Sequence, residues 1–133
     1  MNTTYFLNCV AGNLFQSKTT PALPTEYYIG LSSTAPAIDG SGVTEPDTAM
    51  NYNRVKLSGL GEPEDGVISN TAAIYFSEST AAWGTMTHYV IYDAITDGNL
   101  LMYGPLDPVR NVDELVIVAA KAGSIKLTLQ NPA

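Results

Sequence analysis

From Glu26 onward the chain is made of short runs rich in Tyr, Ile, Val and Thr, cut by Gly, Pro, Asn and Asp. That texture restricts it to a β fold, because β-branched and aromatic side chains pack on a pleated surface and the intervening residues make turns. The runs are Glu26–Ser32, Asn53–Leu57, Ala72–Phe76, His88–Tyr92, Leu100–Tyr103, Leu115–Ala119 and Ser124–Leu129. In the last, Ile125, Leu127 and Leu129 alternate with Lys126 and Thr128, the period-two pattern of a strand with one buried face. No long helical pattern separates the runs, which argues against a parallel α/β fold. The expected class is mainly β, an antiparallel β-sandwich of about seven strands with a short N-terminal α-helix. Ile29, Leu31, Val55, Ile74, Phe76, Ile91, Leu101, Val116, Ile125 and Leu127 form its expected core.

The helix is read from Phe6, Val10 and Leu14, which recur every four residues, with Asn2 or Thr3 placed to cap the start. Gly12 weakens it by about 1 kcal/mol relative to Ala. The stretch Lys18–Pro24, with two prolines, ends any helix and reads as a connector. The chain therefore divides into an N-terminal helix and connector, 1–24, and a β-sandwich domain, 25–133. The connector lets the helical segment stand apart, its apolar stripe covered by the sandwich or by another subunit.

Thr96-Asp97-Gly98-Asn99 is the sharpest turn signal. Asp-Gly tolerates positive φ at two successive residues, as a type I′ turn requires, so His88–Tyr92 and Leu100–Tyr103 should pair antiparallel. Thr34–Asn51 and Ser58–Gly66 are rich in Pro, Gly and acids and read as surface loops. They carry six of the 13 acids: Asp39, Glu45, Asp47, Glu62, Glu64 and Asp65.

Charge narrows the partners. Six Lys+Arg against 13 Asp+Glu give a net charge of −7, which disfavours nucleic acid and anionic membranes, since both need clustered cations. Leu115–Ala120 is the longest apolar stretch, far short of the roughly 20 residues of a membrane span. No basic, apolar secretory leader opens the sequence, and synthesis in a cytoplasm is expected. The single cysteine, Cys9, forms no internal disulfide and reads as a buried thiol on the helix.

Chemistry finds little support. The one histidine, His88, lies in a strand-like run with no nucleophile elbow, so the reading is a half-buried structural or interfacial side chain. Transition-metal spacings are absent, and Asp39–Asp47 lacks the ligand spacing of a calcium loop. No dinucleotide or phosphate-binding fingerprint appears. The expectation is a non-enzyme without cofactor or metal.

Aromatics carry more information. Adjacent pairs such as Tyr27-Tyr28 and Tyr75-Phe76 put one ring on each face of a strand, and the ring outside the core needs cover from a helix, a second sheet or another subunit. Tyr and Trp bury much area at little rotamer cost, which suits them to interfaces. The candidate interface residues are Phe6, Val10, Leu14, Tyr52, Trp83 and His88.

Trp83-Gly84-Thr85-Met86-Thr87-His88-Tyr89, Ile91-Tyr92-Asp93-Ala94 and Gly98-Asn99-Leu100-Leu101-Met102-Tyr103-Gly104-Pro105-Leu106 together resemble a family of small tailed-phage virion proteins, often labelled phage tail fibre protein. Tyr28–Ser33, Thr44-Glu45, Tyr52-Asn53-Arg54, Gly66–Asn70 and Ile74-Tyr75-Phe76 follow that family's order upstream. Two positions depart from it: Val90 and Asp97 stand where glycines are expected, and both suit a strand and a type I′ turn. The resemblance implies a virion structural protein that contacts capsid or tail proteins and forms a homo-oligomer, a trimer among its options. The chain is compact and lacks the repeats of a long fibre, so decoration of the assembled capsid is the first reading. A tail or tail-fibre module and a host-glycan-binding domain, with Trp83 and Asp93 framing the sugar, are the alternatives.

Overall fold

The computed structural model describes residues 1–15 and 22–128. One helix, α1 (Thr4–Leu14), precedes eight strands: β1 (Tyr28–Ser32), β2 (Val55–Lys56), β3 (Val67–Ser69), β4 (Ile74–Tyr75), β5 (Gly84–Tyr92), β6 (Leu100–Val112), β7 (Ala119–Ala120) and β8 (Lys126–Thr128). The fold is mainly β and antiparallel. A four-stranded sheet has the order β2-β1-β5-β6, and two ribbons pair β3 with β8 and β4 with β7.

Strand alternation sorts the side chains of the large sheet into two layers. Ile29, Leu31, Ile91 and Met102 face the main core, which Ile74, Phe76, Val118 and Ile125 complete from the ribbons and Phe6 from the helix. On the reverse face Val90, Tyr92 and Leu100 form a smaller cluster that Val43 helps cover. Seven of the ten expected core residues are buried; Val55, Val116 and Leu127 are half-buried and pack against the same cluster.

Thr3 caps α1, its side-chain oxygen accepting the Phe6 N–H. An isolated helix of 11 residues is marginal in water, so docking holds it. The docking is intimate. Thr3 donates its hydroxyl to Leu100 O at 2.7 Å, Asn2 Nδ2 donates to Thr128 O at 3.0 Å, and Asn2 and Thr3 are buried. Met1 and Thr3 also bond the outer edge of β6, Tyr103 N–H to Met1 O and Thr3 N–H to Leu101 O, both at 2.9 Å. Of the two covers left open for the helical stripe, the chain's own strands supply the one seen at Phe6, and the start of the chain shares one core with them. Residues 16–21, most of the expected connector, lie outside the described residues, as does Leu129.

β5 and β6 run well beyond their expected bounds, and β6 continues through Pro105 and Pro108. Prolines normally argue against a strand, yet here the geometry admits Pro105, while Pro108 falls among residues 106–109, where the β5–β6 register shifts. Leu101 and Tyr103 turn backbone groups outward to Thr3 and Met1, so the same alternation turns the nitrogen of Pro105 outward at a sheet edge. A missing N–H costs no ladder bond there. β5 and β6 are joined antiparallel as expected, with Asp97 at φ 53° and Gly98 at φ 75°. The connection is a seven-residue loop rather than a tight two-residue turn: Tyr92 pairs with Leu100, and the Asp93 carboxylate accepts the Asn99 N–H at 2.7 Å. The strand β3 was unexpected. It begins at a second Asp-Gly turn, Asp65 at φ 52° and Gly66 at φ 78°, across which Glu64 and Val67 exchange both backbone hydrogen bonds. β7 starts at Ala119, where the expected strand ended; before it Leu115 sits at φ 59°, and Val116 and Val118 accept the Ser79 and Phe76 N–H groups.

Candidate assembly surface

The helical stripe does not lie along one line. At about 100° per residue, steps of four drift by about 40°, so Val10 is rotated about 40° and Leu14 about 80° from Phe6. Phe6 and Cys9 are accordingly buried and Val10 is half-buried, while Leu14 is 70% exposed. Phe15 follows at 84%, and Leu23 is exposed as well. The first turns of α1 serve this chain's own core; its last turn presents apolar side chains to solvent.

Tyr52 and Trp83 are core residues, which corrects the expectation that they meet a partner. Their rings stand edge to face at 5.3 Å, with Phe76 stacked 6.4 Å from Tyr52. Trp83 donates its indole N–H to Met50 O at 2.9 Å. The Tyr52 hydroxyl accepts the Leu31 N–H at 3.0 Å. β2 pairs β1 only at Tyr28 and Ile29, so the tyrosine oxygen stands in for the strand that has already ended. Burial, reinforced by the nearby Glu45 carboxylate, pushes the Tyr52 hydroxyl well above the ordinary tyrosine range. His88 is half-buried in β5 between Ser32 and Pro105, its Nδ1 2.8 Å from Thr87 Oγ1. The sugar platform read from Trp83 and Asp93 is not assembled: the indole is buried, and Asp93 is committed to Asn99 through both carboxylate oxygens.

A residue not singled out from sequence organises the reverse face. Arg54, only 8% exposed in its side chain, pairs with Glu45 at 2.9 Å. It donates from Nη1 to Ala94 O and Asp97 O, each at 2.8 Å, and lies 3.6 Å above the Tyr92 ring centre. One guanidinium thus ties the acidic loop to the β5–β6 connection. Its planar fork permits several bonds at once, which an ammonium cannot match.

The loop acids separate into two groups. Asp39 accepts from Ser41, Asp47 caps the 3-10 turn Thr48–Met50 through Ala49 N–H, and Glu45 holds Arg54. Glu62, Glu64 and Asp65 are exposed at the β3 turn and make no ion pair among the described residues.

Two grooves open on the main-core side. The first, of about 340 Å³, runs between β6 and the β4–β7 ribbon; Tyr89, Leu106 and Val118 line it, with Arg110, Lys121 and Asp107 among its charged residues. The second, of about 290 Å³, is lined by apolar residues that include Phe6, Tyr27, Leu60, Pro63 and Met102. No helix among the described residues is long and apolar enough to cross a membrane.

No curated protein matches the chain. A protein-family model described as Podophage GP4 fiber I protein gp80 matches residues 2–128, nearly the whole sequence and every element described above. It agrees with the resemblance carried by the Trp83–Tyr89 and Gly98–Leu106 segments. The chain belongs to the Gp80 family of podophage fibre proteins.

Proposed function

We propose that the protein is a structural subunit associated with the tail fibre of a podophage virion, and that it works through assembly contacts with phage structural proteins rather than by catalysis. The family match over residues 2–128 carries this reading. It favours the fibre over decoration of the head, the first expectation from sequence. The exposed Leu14 and Phe15 support an assembly role, because apolar side chains grouped at one point on a surface favour burial against a partner. Of the six candidate interface residues, Leu14 has the greatest exposed share, and the contact face is assigned around it. Homo-oligomerisation belongs to the same reading. Immunogold labelling of intact virions tests it: label on the tail or its fibres supports the proposal, while label on the head overturns it in favour of decoration.

A further inference from the structure

The six basic residues of this acidic chain are unevenly used. Among the described residues Arg54 pairs with Glu45 and Lys56 with Glu26, while Arg110, Lys121 and Lys126 join no ion pair. Two of those three, Arg110 and Lys121, line the same groove, against one carboxylate, Asp107. Asp39 and Asp47 are held by Ser41 and Ala49, so the loop acids with neither an ion pair nor such a bond are Glu62, Glu64 and Asp65, gathered at one turn.

The topology sets these two features apart. The β3–β8 ribbon pairs Val67 with Thr128 at one end and Ser69 with Lys126 at the other. The acidic turn leaves the Val67 end, where Glu64 bonds Val67. The groove lies at the far end, where the chain passes Ile125, Ser124 and Lys121 and where Asn70 binds the Ile125 N–H and the Lys121 carbonyl. The acidic turn and the basic groove are therefore separate surfaces of one molecule. A molecule with two different patches that complement each other associates head to tail, closing into a ring or continuing as a filament according to the rotation per step.

We infer that the groove beside Arg110 and Lys121 receives the acidic Glu62–Asp65 turn of a second copy of this chain. The apolar floor takes the Pro63 side of the turn, and the two cations take its carboxylates. Charge complementarity selects the register, since like charges brought together across an interface are strongly unfavourable. This deepens the assembly reading above and rests on it for its biological setting.

Two charge-reversed proteins test the inference by sedimentation velocity over a concentration series. One carries Arg110→Glu with Lys121→Glu; the other carries Glu62→Lys, Glu64→Lys and Asp65→Lys. All five positions are exposed, so both proteins should melt close to the unaltered one, which thermal unfolding verifies. The unaltered protein should self-associate, and the association should weaken towards about 1 M salt, where the Debye length falls to about 3 Å. Each reversed protein alone should show at least about a tenfold weaker association. An equimolar mixture of the two should recover it, because acid again meets base at every contact. A monomeric unaltered protein, association indifferent to either reversal, or a mixture that stays apart would each overturn the inference. Tail labelling together with a monomeric purified protein would overturn it alone, leaving the fibre reading intact; head labelling would remove the fibre reading alone.

Discussion

Replacing Arg54 with Met keeps the length of the side chain and removes everything its guanidinium does. Three hydrogen bonds are lost, one of them to the Glu45 carboxylate, together with the stacking on Tyr92. Breaking a buried ion pair from one side costs about 3–5 kcal/mol, and a cation over an aromatic face adds about 1. Water recovers part of this, because Glu45 keeps a fifth of its side-chain surface and the Asp97 carbonyl bond is exposed. The expected loss is about 3 kcal/mol. For a chain of this size that lowers Tm by about 10 °C, measured by calorimetry, with an unchanged denaturant m-value. Arg54→Lys retains the charge without the planar fork and should recover about half. A double-mutant cycle with Glu45→Gln should return a coupling of about 1–2 kcal/mol. A fall in Tm of less than about 3 °C for Arg54→Met, or a coupling near zero, would refute the claim that this residue ties the loop to the β5–β6 connection.

Other outcomes follow from named contacts. Tyr52→Phe leaves the buried Leu31 N–H without its acceptor and should cost about 1–3 kcal/mol by urea unfolding; a value near zero would mean the strand edge is satisfied otherwise. The same tyrosine sets an alkaline limit: its folded pKa is raised, so its contribution is intact below the ordinary pKa of 10.0 and declines as pH rises above it, by up to about 1.4 kcal/mol per unit. Melting curves above that pH should be shallower in pH for Tyr52→Phe than for the unaltered protein, and identical slopes would contradict it. Gly104→Ala would place a Cβ 2.7 Å from the Tyr89 ring that covers it, and should lower stability by about 1–3 kcal/mol unless the ring is free to swing away, which an unchanged Tm would reveal. Deleting residues 1–15 removes Thr3, Phe6 and Cys9 from the core, so cooperative unfolding should be lost; a truncated protein that melts like the full chain would show that the helix is an appendage after all.

What the sequence disclosed was local. Thr3 as a cap, the positive-φ pair Asp97-Gly98 and the alternating aliphatics of the Ser124–Leu129 run each depend on neighbours within a few residues, and these are readable. The rest depended on distant partners. Arg54 looked like one charge in a run because Glu45, Ala94 and Asp97 are brought to it only by folding. Tyr52 and Trp83 were aromatic enough for an interface, and nothing nearby in sequence announced that Leu31 and Met50 would occupy their polar atoms. The readable run Leu100–Tyr103 covers only the start of β6; prolines at 105 and 108 argue against a longer strand, and only the position of β6 at a sheet edge removes that objection for Pro105. β3 did have a signal, the Asp65-Gly66 pair, of the same kind as the turn that was recognised. The groove draws on β1, β6, β7 and the approach to β8, so no stretch of sequence contains it.

The outward nitrogen of Pro105 has a bearing on how copies of this protein tolerate crowding. A β protein concentrated in an assembly risks growing its sheets from molecule to molecule, each exposed edge serving as a template for the next strand. Here Met1 and Thr3 occupy the edge of β6 at residues 101–103, and beyond them Pro105 interrupts the row of amide hydrogens a newcomer would need. Backbone recruitment at that edge is therefore blocked at the level of the ladder itself. Neighbours must be recognised there through side-chain shape and charge, which discriminate between partners, rather than through a main chain that is the same in every protein.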